Sequence, residues 1–486
     1  MAGSDVEFGR SALDARGRVM RVATTKATDV YTAIRLDSKF FLDEGQVAYL
    51  RVIKGKWPMV TVGDVFGKRN IWMPPRITRV IAASAEHGKP LLVPYDCFRY
   101  LPWSRDYLSK SQVKDYASTE VQRGWLLIVR SGRNLGPVAM VDKYLERFTV
   151  SDDMIRISLP GTDELLYFTA LMSTKIGQAL IRRDRNGSVI DHLGPKQVAA
   201  LQYPVVNATL KTKCIDAFRA GLDLREQARL AIEKVMGEFL EHVGLTPQQL
   251  ALKTGNEARR FSISRKVLAD RFDSEPYAPL YRTYRDRIMA GGSATSVSDL
   301  ADVVLLGRKK TLYVADETYG VKVLNGRQIA QCKTIAVQSV SSKAWDDMND
   351  YLLTKDMVLV TCDGRAEENL ADCVLVRDDR EGMAANWHIV RLKAKQNVHP
   401  GLLYLACACG PIQQIFKSLA RGSVIDGLTA QDISLLKLPF PRDAKANKLG
   451  DDAVNAWNLF AKASKAERAA IAELETEFMG DLATPN

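Results

Sequence analysis

Arginine, lysine, asparagine and glutamine are the side chains that read base edges with paired hydrogen bonds, and lysine and arginine also meet phosphates. Outside the stretches with helical patterning, their densest runs fall in two places. One is Lys68-Arg69-Asn70 with Arg76 and Arg79; the other is Arg308-Lys309-Lys310 with Lys322, Asn325, Arg327 and Gln328. Arg133 and Arg365 each follow a glycine at the end of an apolar run, a position from which they contact phosphate or cap the turn. A single charged residue in such a run is as often an ordinary solvated loop residue, so the clusters carry more weight than any one member. The chain carries 68 Lys and Arg against 57 Asp and Glu, a formal net charge of +11, which favours a polyanionic partner.

Catalytic and metal-binding patterns are missing. Met73-Pro74-Pro75-Arg76 lacks the polar residue and the aromatic that an amino-methyltransferase motif needs. Gly307-Arg308-Lys309-Lys310-Thr311 is too short for a GxxxxGK[ST] phosphate loop, and no GxSxG nucleophile elbow occurs. Seven cysteines form no CxxC pair, and the odd number argues against a disulfide framework. The chain is internally repeated, and Cys407 and Cys409 fall opposite Ala170 and Met172 of the other copy, which makes them core residues. The five histidines form no ligand pair. No catalytic residue, metal or cofactor is expected, and catalysis must come from partners. The first thirty residues hold no apolar h-region and no run of eighteen apolar residues occurs, so a cytoplasmic protein without a membrane span is expected.

The elements that position the basic clusters are written twice. Arg35-Leu36-Asp37-Ser38, followed by Phe40-Phe41, recurs as Arg271-Phe272-Asp273-Ser274, followed by Tyr277. Leu165-Leu166-Tyr167 recurs as Leu402-Leu403-Tyr404. Gly187-Ser188-Val189-Ile190-Asp191 recurs letter for letter as Gly422-Ser423-Val424-Ile425-Asp426, and the match continues to Pro204 and Pro439. The apolar runs Trp125 to Val129 and Met357 to Val360, each leading to a Gly-Arg pair, read as buried strands entering turns. A near-constant spacing of 235 to 237 residues between these copies means two domains of one fold and excludes a solenoid, whose period is 20 to 50 residues.

After each copy the pattern becomes helical. Apolar residues at three-and-four spacing from about Leu210 to Val243, and again from about Asp452 to Met479, predict two amphipathic helices roughly 40 to 50 Å long. A narrow apolar stripe needs a covering helix, so the two are expected to pair antiparallel. The expected fold class is α+β: two similar α/β domains separated by a long antiparallel two-helix coiled coil, with pseudo-two-fold symmetry. The expected organisation is an N-terminal segment 1–34, a first domain 35–206, a spacer helix and connector 207–262, a second domain 263–441 and a C-terminal spacer helix 442–486.

This layout resembles the specificity subunits of type I restriction-modification enzymes, in which two target-recognition domains alternate with helical spacers. Each recognition domain there ends in a Gly-rich turn, a short helix and a strand running into Pro, as do Gly187 to Pro204 and Gly422 to Pro439. Val62-Gly63-Asp64-Val65-Phe66 and Leu300-Ala301-Asp302-Val303 resemble the family's domain-opening strand and turn, while a segment near Thr246 to Phe261 is additional. The resemblance implies a non-catalytic DNA-recognition subunit that reads a bipartite duplex site and positions a DNA adenine methyltransferase, with a restriction or translocase subunit as a further partner. Restriction and methylation-linked phage defence are both compatible with it. The alternative is a scaffold or inhibitory module of a defence complex that reads no DNA of its own.

Overall fold

The computed structural model describes residues 55–479 apart from 83, 105, 184, 186–190, 251–260, 266–271, 315–318, 367 and 423–424, together with 48–49, 51–53 and four two-residue strands between Glu7 and Thr24. The chain divides into two compact units. The first comprises Met1–Cys97, Pro102–Leu222 and Ala466–Asn486; the second comprises Phe98–Leu101 and Asp223–Lys465. Both mix helices with small sheets.

In the first unit a four-stranded antiparallel sheet runs in the order Val138–Met140, Leu126–Val129, Met154–Ile157, Ile71–Trp72. Leu126–Val129 and Met154–Ile157 are buried at every position, which is why the first reads as an unbroken apolar strand and the second is interrupted only by Arg156. The helix Asp163–Met172, buried from Leu165 to Met172, covers them in one hydrophobic core. A second sheet joins Gly88–Leu92 to Tyr107–Ser109 and to Thr149–Val150, and a ribbon pairs Met59–Thr61 with Gln202–Pro204.

The second unit repeats this plan in register. Its four-stranded sheet runs Cys373–Leu375, Val358–Thr361, Ile389–Ala394, Ala301–Val304. Val138 opposite Ile128 becomes Cys373 opposite Val360, and Met154 opposite Val129 becomes Ile389 opposite Thr361. In the second sheet Gly88 opposite Ser109 becomes Gly320 opposite Ser341; in the ribbon Val60 opposite Tyr203 becomes Thr295 opposite Leu438. The duplication read from the sequence is therefore a duplication of fold, strand pair by strand pair.

The register also corrects the domain-opening motif. Val62–Phe66 is a short helix and not a strand and turn, and its counterpart is the helix Val297–Leu300, since Val62 N donates to Leu201 O as Val297 N does to Leu436 O. Leu300-Ala301-Asp302-Val303 instead crosses from that helix into a sheet strand. The apolar-polar pattern over five residues is too short to separate one helical turn from a strand. Arg35 to Ser38, Phe40-Phe41, Arg271, Gly187 to Ile190 and Ser423-Val424 lie outside the described residues, as does most of the segment Thr246 to Phe261 apart from the one-turn helix Pro247–Leu250.

The long helices are Ala208–His242 and Ala444–Met479. Each is capped by the residue before it: Asn207 Oδ1 accepts from Leu210 N at 3.0 Å and Asp443 Oδ1 from Ala446 N at 2.8 Å. The Asp443 cap explains why the second helix starts earlier than its apolar stripe suggests. In the first unit Cys214, Ile215 and Phe218 share a core with Ala470, Leu474 and Phe478, and Lys213 Nζ lies 3.0 Å from Glu473 Oε2. In the second, Ala228, Ile232 and Phe239 share a core with Ala453, Trp457 and Phe460, and His242 Nε2 lies 2.9 Å from Asp443 Oδ2.

Candidate nucleic-acid interface

Strand direction sorts the basic residues. Ile71–Trp72 and Leu126–Val129 both run antiparallel to Met154–Ile157, so the two leave the four-stranded sheet at the same end. Ile71–Trp72 continues into the extended stretch carrying Arg76 and Arg79, and Leu126–Val129 into the turn carrying Arg133. The second unit does the same. Ala301–Val304 and Val358–Thr361 both run antiparallel to Ile389–Ala394, and they lead to Arg308-Lys309-Lys310 and to Arg365. One end of each sheet therefore gathers exposed arginines from two separate connections.

The first of these connections crosses to the far edge of the second sheet, which it meets at Ile81 opposite Leu108 and at Tyr313 opposite Val340. Its backbone is held while its charged side chains face out. In the second unit Tyr351 Oη donates to Gly307 O at 2.6 Å and Trp345 Nε1 to Lys310 O at 2.9 Å, fastening both ends of Arg308-Lys309-Lys310 to a small core of Val340, Trp345, Met348, Tyr351 and Ala384. In the first unit the buried side chain of Ile77, between Arg76 and Arg79, does this work against Leu91, Leu108, Val113 and Tyr116. The side chains of Arg76, Arg79, Arg133, Arg308 and Lys310 are exposed and have no hydrogen-bond or ion-pair partner among the described residues.

The repeated pentapeptide ends against the second connection. Ser131 bridges His192 and Gly132 N donates to Asp191 O; correspondingly Asp363 pairs with Gly427 and Gly364 with Asp426. Asp426 Oδ2 accepts from Ala366 N at 2.9 Å, and Arg185 Nε lies 3.3 Å from Asp191 Oδ2. Gly422 is required by close approach, because a Cβ there would stand 1.9 Å from Ile425 O. Gly132 supplies the positive φ of 93° that turns the chain before Arg133. Asp191 and Asp426, the last residues of the two pentapeptides, thus pair with the turns from which Arg133 and Arg365 project.

Other candidates are placed differently. Lys68, Arg69 and Asn70 form a 3-10 turn that enters the edge strand Ile71–Trp72 at the end opposite Arg76. Lys68 and Arg69 are exposed, whereas the Asn70 amide donates to Phe66 O at 2.7 Å. Register leaves this turn without a counterpart, so it does not match the second cluster in depth; Arg76 matches Arg308 instead. Lys309 Nζ sits 2.8 Å from Asp347 Oδ2, and that bond raises its pKa above the usual lysine value. Lys322 is exposed on the strand Gly320–Leu324. The Asn325 side chain accepts from the N–H groups of Arg327 and Gln328, capping the helix Gly326–Ile329. Arg327 pairs with Glu368 at 2.9 Å and Arg365 approaches the same carboxylate at 3.5 Å, both on the surface. Gln328 leaves the candidates: it is buried, and its amide donates to Ile335 O and Ala336 O while accepting from Asn325 N.

Sequence patterning does not single out Arg156 and Arg391. Both are fully buried at collinear sheet positions, and Nη1 of each donates to the carbonyl two residues earlier, Met154 O at 2.8 Å and Ile389 O at 3.0 Å. Nη2 reaches back to the second sheet, to Val150 O and Ala385 O, and the guanidinium carbons lie over the Trp72 and Tyr351 rings, 5.4 and 5.5 Å from their centroids. Burial pushes each down to about 10, so both stay charged at neutral pH. The signal that could have found them is an arginine inside an apolar strand at matching places, Met154-Ile155-Arg156-Ile157 and Ile389-Val390-Arg391-Leu392. Tyr313, on the edge strand of the second sheet, and Tyr319, just before its inner strand Gly320–Leu324, are 59% and 70% exposed and escape notice in the sequence because aromatic residues read as core.

Cys407 and Cys409 are buried with free thiols, in agreement with their apolar counterparts. No group of three metal-ligating side chains occurs among the described residues, and no described helix is long and apolar enough to cross a membrane. The chain matches no protein-family model and no curated protein sequence. Solved structures similar to it include the type I restriction-modification system S subunit from M. genitalium, at 10% identity over 87% of this chain and 96% of that one, with a TM-score of 0.33. The HsdS subunit from Thermoanaerobacter tengcongensis is similar at 12% identity over 88% and 98% of the chains, TM-score 0.26. A structure concerning complex assembly and conformational transition of the type I R-M system is similar at 11% identity over 87% and 96%, TM-score 0.26.

Proposed function

We propose that the chain is a sequence-specific DNA-recognition subunit of a type I-like restriction-modification or methylation-linked phage-defence complex. It reads a bipartite duplex site, one half with each target-recognition domain, 35–206 and 263–441. The observation that carries this reading is the repeated gathering of exposed arginines at one end of the same sheet in two copies of one fold. Two copies of one reader suit two half-sites, and arginine is the side chain that serves both phosphate and guanine. The net charge of +11 favours the same partner.

In this reading the helices Ala208–His242 and Ala444–Met479 form an antiparallel coiled coil with pseudo-two-fold symmetry that sets the unread spacer. At 35 and 36 residues each spans about 50 Å, between one and two turns of B-DNA. Their outer faces receive a cytoplasmic DNA adenine methyltransferase and a restriction or translocase subunit, which supply the catalysis that this non-catalytic subunit lacks. The test is binding of the chain, purified with its cognate methyltransferase, to genomic duplex fragments, with methylome sequencing of cells that carry or lack the gene. A bipartite methylation motif that disappears with the gene supports the reading. Assembly with the methyltransferase but no effect on DNA binding or methylation supports a scaffold or inhibitory module instead.

A further inference from the structure

Register divides the arginines into those that repeat and those that do not. Ile71 stands opposite Ile157 as Val303 stands opposite Leu392, and Ile81 meets Leu108 as Tyr313 meets Val340. Between these fixed points the two connections have equal length, so Arg76 falls on Arg308 without a gap. Arg133 and Arg365 likewise each follow the glycine paired to the repeated aspartate segment. The neighbouring surface differs. Where the first unit has Thr78-Arg79, the second has Lys310-Thr311, so the order of hydroxyl and cation is reversed on the same stretch of backbone.

Two half-sites of different sequence share only the sugar–phosphate backbone. Contacts that serve both are free to stay the same, and contacts that discriminate bases must differ. We propose that Arg76 with Arg308, and Arg133 with Arg365, are sequence-independent phosphate contacts, and that the residues at 78–79 and 310–311 discriminate bases at the first and second half-sites. The assignment rests on the DNA-recognition reading of the chain. The anchoring of Gly307 and Lys310 by Tyr351 and Trp345 suits it, because a discriminating side chain needs a fixed backbone.

The experiment uses the full chain with its cognate methyltransferase, a duplex bearing the motif mapped from the wild-type methylome, and a random-sequence duplex. Arg76→Ala combined with Arg308→Ala is expected to weaken binding to both duplexes by the same factor. It should also lower the slope of log affinity against log salt by about 2, one per lost phosphate contact. Thr78→Lys combined with Arg79→Thr is expected to change the bases methylated at the first half-site and leave the second half-site as it was. Loss of discrimination with an unchanged salt slope in the arginine double variant, or an unchanged first half-site in the exchange variant, overturns the assignment while DNA recognition by the wild type stands. A wild-type complex that binds neither duplex overturns the reading beneath it. Thermal unfolding of each variant confirms that it is folded, which these exposed positions favour.

Discussion

Arg156 and Arg391 are charged groups taken wholly out of water, and the cost is offset by two backbone carbonyls for Arg156, three for Arg391, and an aromatic face apiece. Each ties a central strand of one sheet to the neighbouring sheet through Val150 O or Ala385 O. Arg391→Met removes the donors and leaves the carbonyls buried, so a loss of about 1–3 kcal/mol is expected, read as a lowered denaturation midpoint. Tyr351→Phe keeps the ring beneath Arg391 and deletes only the bond to Gly307 O, for about 1 kcal/mol, together with faster amide exchange across 305–312. Burial pushes the Cys409 thiol up to about 12 and raises Cys407 further. Neither should react with iodoacetamide at pH 8 until the protein is denatured, as checked by peptide mass spectrometry.

At the scale of elements, the turn after each buried strand and the long helices are the parts that the pattern of residues specifies most closely. Gly422→Ala places a methyl group against Ile425 O and is expected to disrupt the turn that supports Arg365, with loss of stability in the second unit measured by calorimetry. The helices offer a different test. Seven residues added to each, in matched positions of the two, lengthen both by about 10 Å. If they set the spacer, the unmethylated gap in the mapped motif grows by about three base pairs, whereas an unchanged gap removes them from that role.

For the molecule as a whole, duplication is the organising fact. Matched registers in both sheets and in the ribbon mean that the first and second copies present their surfaces from equivalent frameworks. The two compact units also divide each long helix, with Ala208 to Leu222 and Ala466 to Met479 counted in the first and the remainder in the second. Each unit therefore contains a share of both helices. If each domain reads one half-site as proposed, exchange of residues 35–206 for the equivalent segment of a relative with a different motif should replace one half-site and keep the other, as read by methylome sequencing.

Local chemistry carried much of this into the sequence. Buried strands declare themselves as unbroken apolar runs, amphipathic helices as three-and-four spacing, and duplication as collinear matches, because each depends only on neighbours along the chain. Grouping of the basic residues depends on strand pairing. Lys68-Arg69-Asn70 and Arg76 are close in sequence yet flank a strand at its two ends, while Arg76 and Arg133 are distant in sequence yet leave the sheet together. Gln328 reads as a base-contacting residue in the sequence, and only the backbone carbonyls that use its amide remove it from that role. Composition and order decided that there are two copies of one fold; antiparallel hydrogen bonding between remote strands decided which arginines leave the sheet at the same end.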